Sequence, residues 1–453
     1  MVLRASLLRR LFWFAVLMGP LWCARIVRAQ DVSIELRTKD AQSEYRIGEP
    51  IRIQLVFSSN TQQYVVDSSF RFPDLSPTRD EFLVTPSDGV TDPMEDYRQA
   101  LARNPSRLLC CGGGLSGYVR LGDKPEVLDV VLTRNVRFSR PGCYVLSVRD
   151  RRVNPIRNSS SDPLQPLELT SKPLTLTIVT ADREWQQQQL AAALAALKKR
   201  PGISAEACEK LGTLATPEAE VAMADALEDE TLAIGCSFSY TLLGAKNRKV
   251  VLERMQNELE NSVVNITPYF VETMVTLTTL EEGEDGDFYL QQDESRRRIY
   301  DNLFSLLDEK KGPARATAIS TLVNSLLNTP AERSQQKAQV LRLASEIFER
   351  LNSQAQVTLL SAYWKDFASG PSVAGILRRC AEAAPSTSCG QIQGDLLLKR
   401  LNELSPADAQ EVILADIHQG TNNANFICHG EVFPGLPGRI LGNSCRLEAN
   451  QTS

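Results

Sequence analysis

The fold is decided within residues 174–197, which read LTLTIVTADREWQQQQLAAALAAL. Apolar residues alternate with threonine over the first five positions, and this period of two predicts a half-buried strand. From Leu190 onward the leucines recur three or four positions apart, which predicts an amphipathic helix. The hydrophobic period therefore changes near Thr180, and we expect regions of different secondary structure on either side of that residue.

Residues 31–180 repeat the period of two in short segments that are separated by proline, glycine, asparagine and aspartate. The predicted strands begin at Val32 and Ile51 and continue at residues 81–85, 127–132, 143–149 and 174–179. A short helix is predicted where Asp92 acts as N-cap ahead of Pro93. Many short strands with turns of this kind favour an antiparallel β-sandwich over residues 31–180.

Two motifs in this half resemble a known group of domains. Tyr45–Ile51 (YRIGEPI) resembles the Y-x-x-G-E-P-[IV] entry into the second strand of bacterial immunoglobulin-like and macroglobulin-like domains. Pro141–Val148 (PGCYVLSV) resembles their P-G-x-Y-x-L-x-V strand. The resemblance implies that Gly142 permits a turn and that the Tyr144 hydroxyl bonds back to the chain at a corner.

Residues 183–419 keep the helical period, and no strand pattern interrupts it. Asp182 is the predicted N-cap of the first helix, and Thr216 with Pro217 predicts the start of another. Further amphipathic faces are predicted at residues 251–259, 270–277, 319–327 and 340–351. An array of short amphipathic helices favours an α-solenoid, with a compact helical domain as the alternative.

Residues 394–417 are similar to the helix–proline–helix units of HEAT-like repeats. As a whole, the chain resembles exported bacterial proteins that join an immunoglobulin-like or macroglobulin-like β-sandwich to a HEAT-like helical region. This resemblance implies an architecture, β-sandwich followed by α-solenoid, and it implies no particular activity.

The first 29 residues have the pattern of a signal peptide. Arg4, Arg9 and Arg10 precede an apolar stretch of about 14 residues, and Ala29 is a small residue before the predicted cleavage at Gln30. A transmembrane helix needs roughly 20 apolar residues. Cleavage would remove five arginines and no acid, which changes the formal charge from −5 to −10. We therefore expect a periplasmic or extracellular protein that does not span a membrane and binds no nucleic acid.

Nine cysteines remain after this cleavage, and an oxidising compartment favours their pairing. Proximity along the chain suggests Cys208–Cys236, Cys380–Cys389 and Cys428–Cys445, and also Cys143 with either Cys110 or Cys111. One thiol is left over because the number is odd. Residues 420–453 follow neither period, and we expect them to form an irregular tail that a disulfide closes.

The chain has two histidines, His418 and His429, so an enzyme that uses two histidines must use this pair. Together with Cys428 and Cys445 they could supply four zinc ligands. A disulfide between these two cysteines is the alternative, and it excludes zinc because oxidised cysteines are not thiolate ligands. We favour the disulfide and expect no metal and no other cofactor.

Ser334 and Lys337 have the S-x-x-K spacing of some exported acyl enzymes, which places the lysine one helical turn from the serine. The partner motifs S-D-N and K-T-G are absent from the sequence, which favours a solvated helix start instead. Seven acidic residues between Glu281 and Glu294 do not fit the spacing of an EF-hand, and they predict a solvated loop. No catalytic residue follows from these patterns.

The missing catalytic set favours a non-enzymatic interaction or scaffold protein that binds a protein or cell-envelope partner through the helical repeats. Two alternatives stay open. One is an exported hydrolase that uses carboxylates or Ser334 with Lys337. The other is a protease-inhibitor-like or adhesion module that acts through the β-sandwich.

Overall fold

The computed structural model describes residues 31–68, 80–103, 117–156, 165–199, 202–283, 287–326 and 334–363, together with Ser405, Ala407 and Gln410. Contacts divide the chain into two compact units. The β unit comprises Met1–Arg98 and Pro105–Gln189, and the helical unit comprises Gln99–Asn104 and Leu190–Ser453. The predicted order, antiparallel sheets followed by helices, is confirmed.

The described part of the β unit contains thirteen strands. They are β1 (Val32–Thr38), β2 (Glu44–Arg46), β3 (Arg52–Ser59), β4 (Tyr64–Asp67), β5 (Asp80–Thr85), β6 (Val90–Thr91), β7 (Tyr118–Arg120), β8 (Glu126–Val131), β9 (Arg137–Phe138), β10 (Gly142–Asp150), β11 (Val153–Pro155), β12 (Leu169–Thr170) and β13 (Leu174–Val179).

Strand pairing is antiparallel with one exception. The sheets have the orders β1-β3-β8, β12-β10-β13-β2, β11-β4-β7 and β6-β9, and β10 also pairs with β5. The exception is the parallel pair of β13 and β2, which sets Ile178 beside Tyr45. Strand β10 therefore has neighbours on both of its edges, and it organises the largest sheet.

Alternating burial along the strands explains which faces form the core of the β unit. Strand β1 buries Val32, Ile34 and Leu36 and exposes the residues between them. Strand β10 buries every second residue from Tyr144 onward, and the last of these buried positions is Asp150. A charged side chain thus ends a row of apolar core positions.

Tyr144 forms the corner that its motif implied. Its hydroxyl donates to the backbone carbonyl of Arg140 at 3.0 Å, four residues upstream. Gly142 begins β10 and does not adopt a left-handed backbone conformation, so its implied role in a turn stays a prediction. The left-handed glycine is in the other motif, where Gly48 has a φ of 86°.

The described residues contain twelve α-helices. They are α1 (Glu95–Ala102), α2 (Arg183–Lys198), α3 (Ala205–Leu214), α4 (Pro217–Ala226), α5 (Glu230–Cys236), α6 (Phe238–Leu243), α7 (Arg248–Glu260), α8 (Pro268–Glu282), α9 (Phe288–Ser305), α10 (Gly312–Ser325), α11 (Ser334–Glu346) and α12 (Ser353–Ala362).

Local capping explains where several of these helices begin. Asp182 accepts a hydrogen bond from the Trp185 N–H at 2.7 Å, and Thr216 accepts one from Ala219 at 3.3 Å. Both N-caps were predicted. The predicted face over residues 340–351 is divided, because α11 ends at Glu346 and a separate 3₁₀ turn covers Phe348–Arg350.

Helix α7 illustrates the packing of the helical unit. Its residues Val251, Met255 and Leu259 have the predicted helical spacing, and each is 0% exposed. Burial of three such side chains stabilises the unit by about 1.5–3 kcal/mol each.

A buried carboxylate joins α4 to the start of α7. Glu220 is 1% exposed and accepts hydrogen bonds from the backbone N–H groups of Lys246 and Asn247 at 2.7 and 2.8 Å. The Asn247 side chain donates a third bond at 3.0 Å. These donors precede α7, so Glu220 places negative charge at the end of that helix where the dipole favours it.

The predicted disulfide between Cys208 and Cys236 is present and joins α3 to α5. Both sulfur-bearing residues are buried. Cys143 is exposed and has no disulfide partner among the described residues. The predicted signal peptide, the tail at 420–453 and the other predicted pairings, which involve Cys110, Cys111, Cys380, Cys389, Cys428 and Cys445, lie outside the described residues.

Within the described residues, no helix combines the length and the apolar character that a membrane crossing needs.

Candidate functional site

Three carboxylates converge in the helical unit where α4 and α7 pack together. Asp225 lies in the last turn of α4, Glu228 in the turn that follows, and Glu258 near the end of α7. One oxygen from each of the three side chains lies within 4.8 Å of the others. We call these three residues the acidic cluster.

Arg254 neutralises two members of the acidic cluster. Its guanidinium lies 2.8 Å from an Asp225 oxygen and 2.6 Å from a Glu258 oxygen. Glu258 follows Arg254 by four positions, so both side chains emerge from the same face of α7. The hydrogen bond to Asp225 raises the pKa of Arg254, and the nearby carboxylates add to this effect.

Glu228 is the carboxylate without such a partner. It is partly exposed, and its carboxylate makes no hydrogen bond or ion pair with any described residue. Burial raises the pKa of Glu228 to about 7, and the negative charges of Glu258 and Asp225 act in the same direction. Glu228 consequently exchanges its proton near neutral pH.

Lys310 lies beside the acidic cluster in the link between α9 and α10. It is 2% exposed, and its ammonium donates to the carbonyl of Asn261, the C-cap residue that follows α7. Burial lowers the pKa of Lys310, while the charges of Glu258 and Glu228 oppose that shift. The positive charge of Lys310 attracts the carboxylates of Glu258 and Glu228, although Lys310 makes no ion pair with either among the described contacts.

An apolar side chain is exposed on the loop beside these charges. Val263 lies between α7 and α8 and is 68% exposed, the highest value among the large apolar residues that are exposed in the structure as described. The loop is held against the α9–α10 link, because the Lys311 N–H donates to the Ser262 carbonyl at 2.9 Å. Val263 and Lys310 thus lie on two links that hydrogen bonds hold together.

The arrangement is better suited to a cationic group than to a metal ion. Carboxylate oxygens at this spacing are acceptable ligands for a hard divalent cation. However, Arg254 already occupies Asp225 and Glu258, and a metal would have to displace its guanidinium. Glu228 alone can accept a hydrogen bond from an incoming ammonium or guanidinium group without breaking an existing contact.

Lys337, the base of the hypothetical S-x-x-K pair, contacts an aromatic ring. Its ammonium lies 4.6 Å from the centroid of the Tyr363 ring, a cation–π contact between α11 and the residue that follows α12. Ser334 begins α11, and its side chain is outside the described set. The proposed nucleophile–base pair therefore stays a prediction.

The acidic run between residues 281 and 294 is largely consumed by local contacts. Glu281 pairs with Lys249 at 3.4 Å, and Glu282 pairs with Arg298 at 2.8 Å. Asp287 is the N-cap of α9. The predicted loop over this run is therefore wrong for most of its acids: Glu281 and Glu282 end α8, and Asp293 and Glu294 lie within α9.

The remaining candidate ligands, Cys428, Cys445, His418 and His429, lie outside the described residues. Sequence reasoning missed the acidic cluster because its members come from separate segments. The one local signal was the spacing of Arg254 and Glu258, which is common on helix surfaces.

No protein-family model matches the chain, and no curated protein matches it. Among solved structures, the chain is similar to Salmonella alpha-2-macroglobulin reacted with methylamine, at 12% identity and a TM-score of 0.19, over 86% of this chain and 26% of that chain. It is also similar to Escherichia coli alpha-2-macroglobulin spanning domain MG7 to the C-terminus, at 11% identity and a TM-score of 0.17, over 86% of this chain and 62% of that chain. The chain thus spans less than two thirds of each of these proteins.

Proposed function

We propose that this chain is an exported, non-enzymatic interaction protein that binds a protein partner through its helical unit. Two observations on the helical unit carry the proposal: Val263 is 68% exposed, and Glu228 is a carboxylate without an ion-pair partner among the described residues. Binding energy at protein interfaces is concentrated where an apolar contact excludes water from a charged pair. Val263 offers an exposed apolar side chain and Glu228 a carboxylate, the two kinds of group that such a contact combines.

The partner chemistry follows from the charges. A lysine or arginine of the partner would bind ionised Glu228, and the ion pair would lower the pKa of Glu228 from about 7. Binding then releases a proton, so we expect affinity to rise as the pH rises through neutrality.

Export is part of the proposal. Its support is the Cys208–Cys236 disulfide, which persists in oxidising compartments, together with the signal-peptide pattern of the first 29 residues. The finer architecture, an immunoglobulin-like sandwich with a HEAT-like solenoid, stays a prediction alongside it.

Site-directed photo-cross-linking in the native cell envelope tests the proposal. A photoreactive amino acid at Val263 should capture one partner reproducibly, whereas the same replacement at Leu290, which is 54% exposed on α9, should not. Glu228→Gln should weaken capture about tenfold, in line with the loss of one charged hydrogen bond. The matched variant Glu294→Gln, on the exposed surface of α9, should leave it unchanged.

The proposal is wrong if Val263 and Leu290 capture the same set of proteins, or if Glu228→Gln and Glu294→Gln behave alike.

An exported hydrolase is the second candidate, and the raised pKa of Glu228 beside two carboxylates favours it. Glu228 would then act as the general acid. An activity found in the purified protein and lost in Glu228→Gln would support the hydrolase over the interaction protein.

A further inference from the structure

A second group of buried charges lies in the β unit, where β4, β5, β10 and β11 meet. Asp67 ends β4, Asp80 begins β5, Asp150 ends β10, and Arg152 lies in the turn before β11. Asp67 and Asp150 are 0% exposed. The side chains of Asp80 and Arg152 are 13% and 12% exposed. Three carboxyl groups and one guanidinium are therefore packed at one junction.

The strand register sets two of these carboxyl groups against each other. In the antiparallel pair of β5 and β10, Asp80 lies directly opposite Asp150. Like charges at opposite positions of paired strands repel one another. Ionisation of both side chains would therefore destabilise the pairing of β5 with β10.

Arg152 binds the carboxylate of Asp80. Its Nε and Nη2 donate to the two Asp80 carboxylate oxygens, each at 2.6 Å, and its Nη1 donates to the Asp67 carbonyl at 3.1 Å. A bidentate pair of this kind is the strongest hydrogen-bonded geometry that a guanidinium makes with a carboxylate. Asp80 is thus held ionised.

Asp150 is left with one oxygen to satisfy. Its Oδ1 accepts a hydrogen bond from the Arg152 N–H at 2.8 Å. Its Oδ2 is buried and has no hydrogen-bond partner among the described residues, and the Arg152 Nε lies 3.7 Å away from it. A buried, ionised oxygen without a donor is costly, whereas a protonated oxygen can donate to Asp80.

We propose that Asp150 is a neutral carboxylic acid in the folded protein at neutral pH, and that its proton links β10 to β5 in a contact that alkaline pH breaks. On titration the O–H bond of Asp150 ionises, and the proton passes to solvent. The charged groups that face Asp150 are Asp80 on β5 and Arg152 in the turn; Asp67 of β4 is buried at the same junction. The ion pairs of Arg149 with Glu81 and Arg151 with Glu168 are solvent-exposed.

The direction of the pH effect follows from linkage. Burial raises the pKa of Asp150 above its ordinary value of 3.8, and the hydrogen bond and charge of Asp80 add to the shift. The folded state therefore holds a proton that the unfolded chain releases near pH 3.8. The stabilisation is complete below that pH. At higher pH the unfolding equilibrium constant rises by about tenfold per pH unit, and the stabilisation is lost once the pH has passed the folded-state pKa.

Hydrogen-exchange mass spectrometry of the full chain tests the proposal. Asp150→Asn keeps the shape of the side chain and can donate an N–H to Asp80 at every pH. Between about pH 6 and about pH 8, amides of β4, β5 and β10 in the unsubstituted protein should lose protection relative to the variant at the same pH, by about tenfold per unit, and the loss should level off above about pH 8. Peptides of α7 and α8 should exchange equally in both proteins and serve as the internal control.

Infrared spectroscopy provides a measurement that needs no variant. Protein labelled with ¹³C at aspartate carboxyl groups should show a protonated-carboxyl band at neutral pH, and this band should disappear on alkaline titration. Aspartate labelling separates the signal from Glu228. Absence of the band at neutral pH, or a protection ratio that does not change with pH, would overturn the proposal.

Discussion

Two buried charged side chains of the helical unit, Glu220 and Lys310, form hydrogen bonds with backbone groups. Glu220 accepts from the two N–H groups that precede α7, and Lys310 donates to the carbonyl of the residue that follows α7. Buried polar groups are tolerated in proteins when they are hydrogen-bonded in this way. Removal of one partner leaves the other unsatisfied, and that asymmetry determines the cost of mutation.

We expect Glu220→Ala to destabilise the protein by about 3 kcal/mol, because it leaves the buried donors at Lys246 and Asn247 without an acceptor. Urea unfolding monitored by circular dichroism measures this loss. Glu218→Ala changes an exposed residue two positions earlier in α4 and should cost less than about 1 kcal/mol. Equal effects of the two substitutions would show that the backbone hydrogen bonds of Glu220 contribute little.

Glu228 should make the stability of the helical unit depend on pH. Burial and the neighbouring carboxylates raise its pKa from 4.5 to about 7, so the folded chain binds a proton that the unfolded chain releases. This stabilisation is complete below about pH 4.5 and is lost as the pH rises through about 7. Because Glu228 is partly exposed, we expect an effect on the order of 0.5–1 kcal/mol. The urea midpoint of Glu228→Gln should accordingly fall less than that of the unsubstituted protein between about pH 5 and about pH 8.

At the scale of elements, helix α7 carries charges of the favourable sign at both ends, and neither comes from α7 itself. Glu220 of α4 lies at its start, and Lys310 of the α9–α10 link lies at its end. Helix termini are stabilised by negative charge at the N-terminus and positive charge at the C-terminus. The helix is therefore fixed between its neighbours by polar contacts as well as by Val251, Met255 and Leu259.

The disulfide adds a covalent constraint between two other elements of this unit. Cys208 and Cys236 are 28 positions apart, and closing a loop of that length stabilises the folded state by about 3–4 kcal/mol in the chain-entropy model. We expect Cys208→Ala with Cys236→Ala to lower the free energy of unfolding by this amount in urea titrations. Cys143→Ala, at an exposed position, is the control and should leave stability unchanged.

At the scale of the whole molecule, the change of hydrophobic period correctly predicted the position at which strands give way to helices. Spacing of three and four residues identified the buried face of α7, and local capping identified the starts of α2 and α4. The acidic cluster with Lys310 could not be predicted, because tertiary packing brings together segments that are far apart along the chain. The same holds for Asp80 and Asp150, whose opposition depends on the register of β5 against β10.

The redox state of the whole protein tests its predicted compartment. If thiols are trapped at cell lysis, Cys208 and Cys236 should be recovered as one cross-linked peptide pair, because an oxidising compartment preserves the disulfide. Peptide mapping by mass spectrometry without reduction makes this measurement. Recovery of both residues as alkylated thiols would contradict the prediction of export.

The parallel pair of β2 and β13 has a consequence for how the β unit forms during synthesis. Tyr45 and Ile178 are neighbours in this pair although about 130 residues separate them. At about 5–20 residues per second, the ribosome needs roughly 7 to 26 seconds to make the intervening chain. During this interval β2 cannot pair with β13, because β13 has not yet been synthesised. The sheet that contains β2 is therefore completed only after the chain has been synthesised as far as Val179.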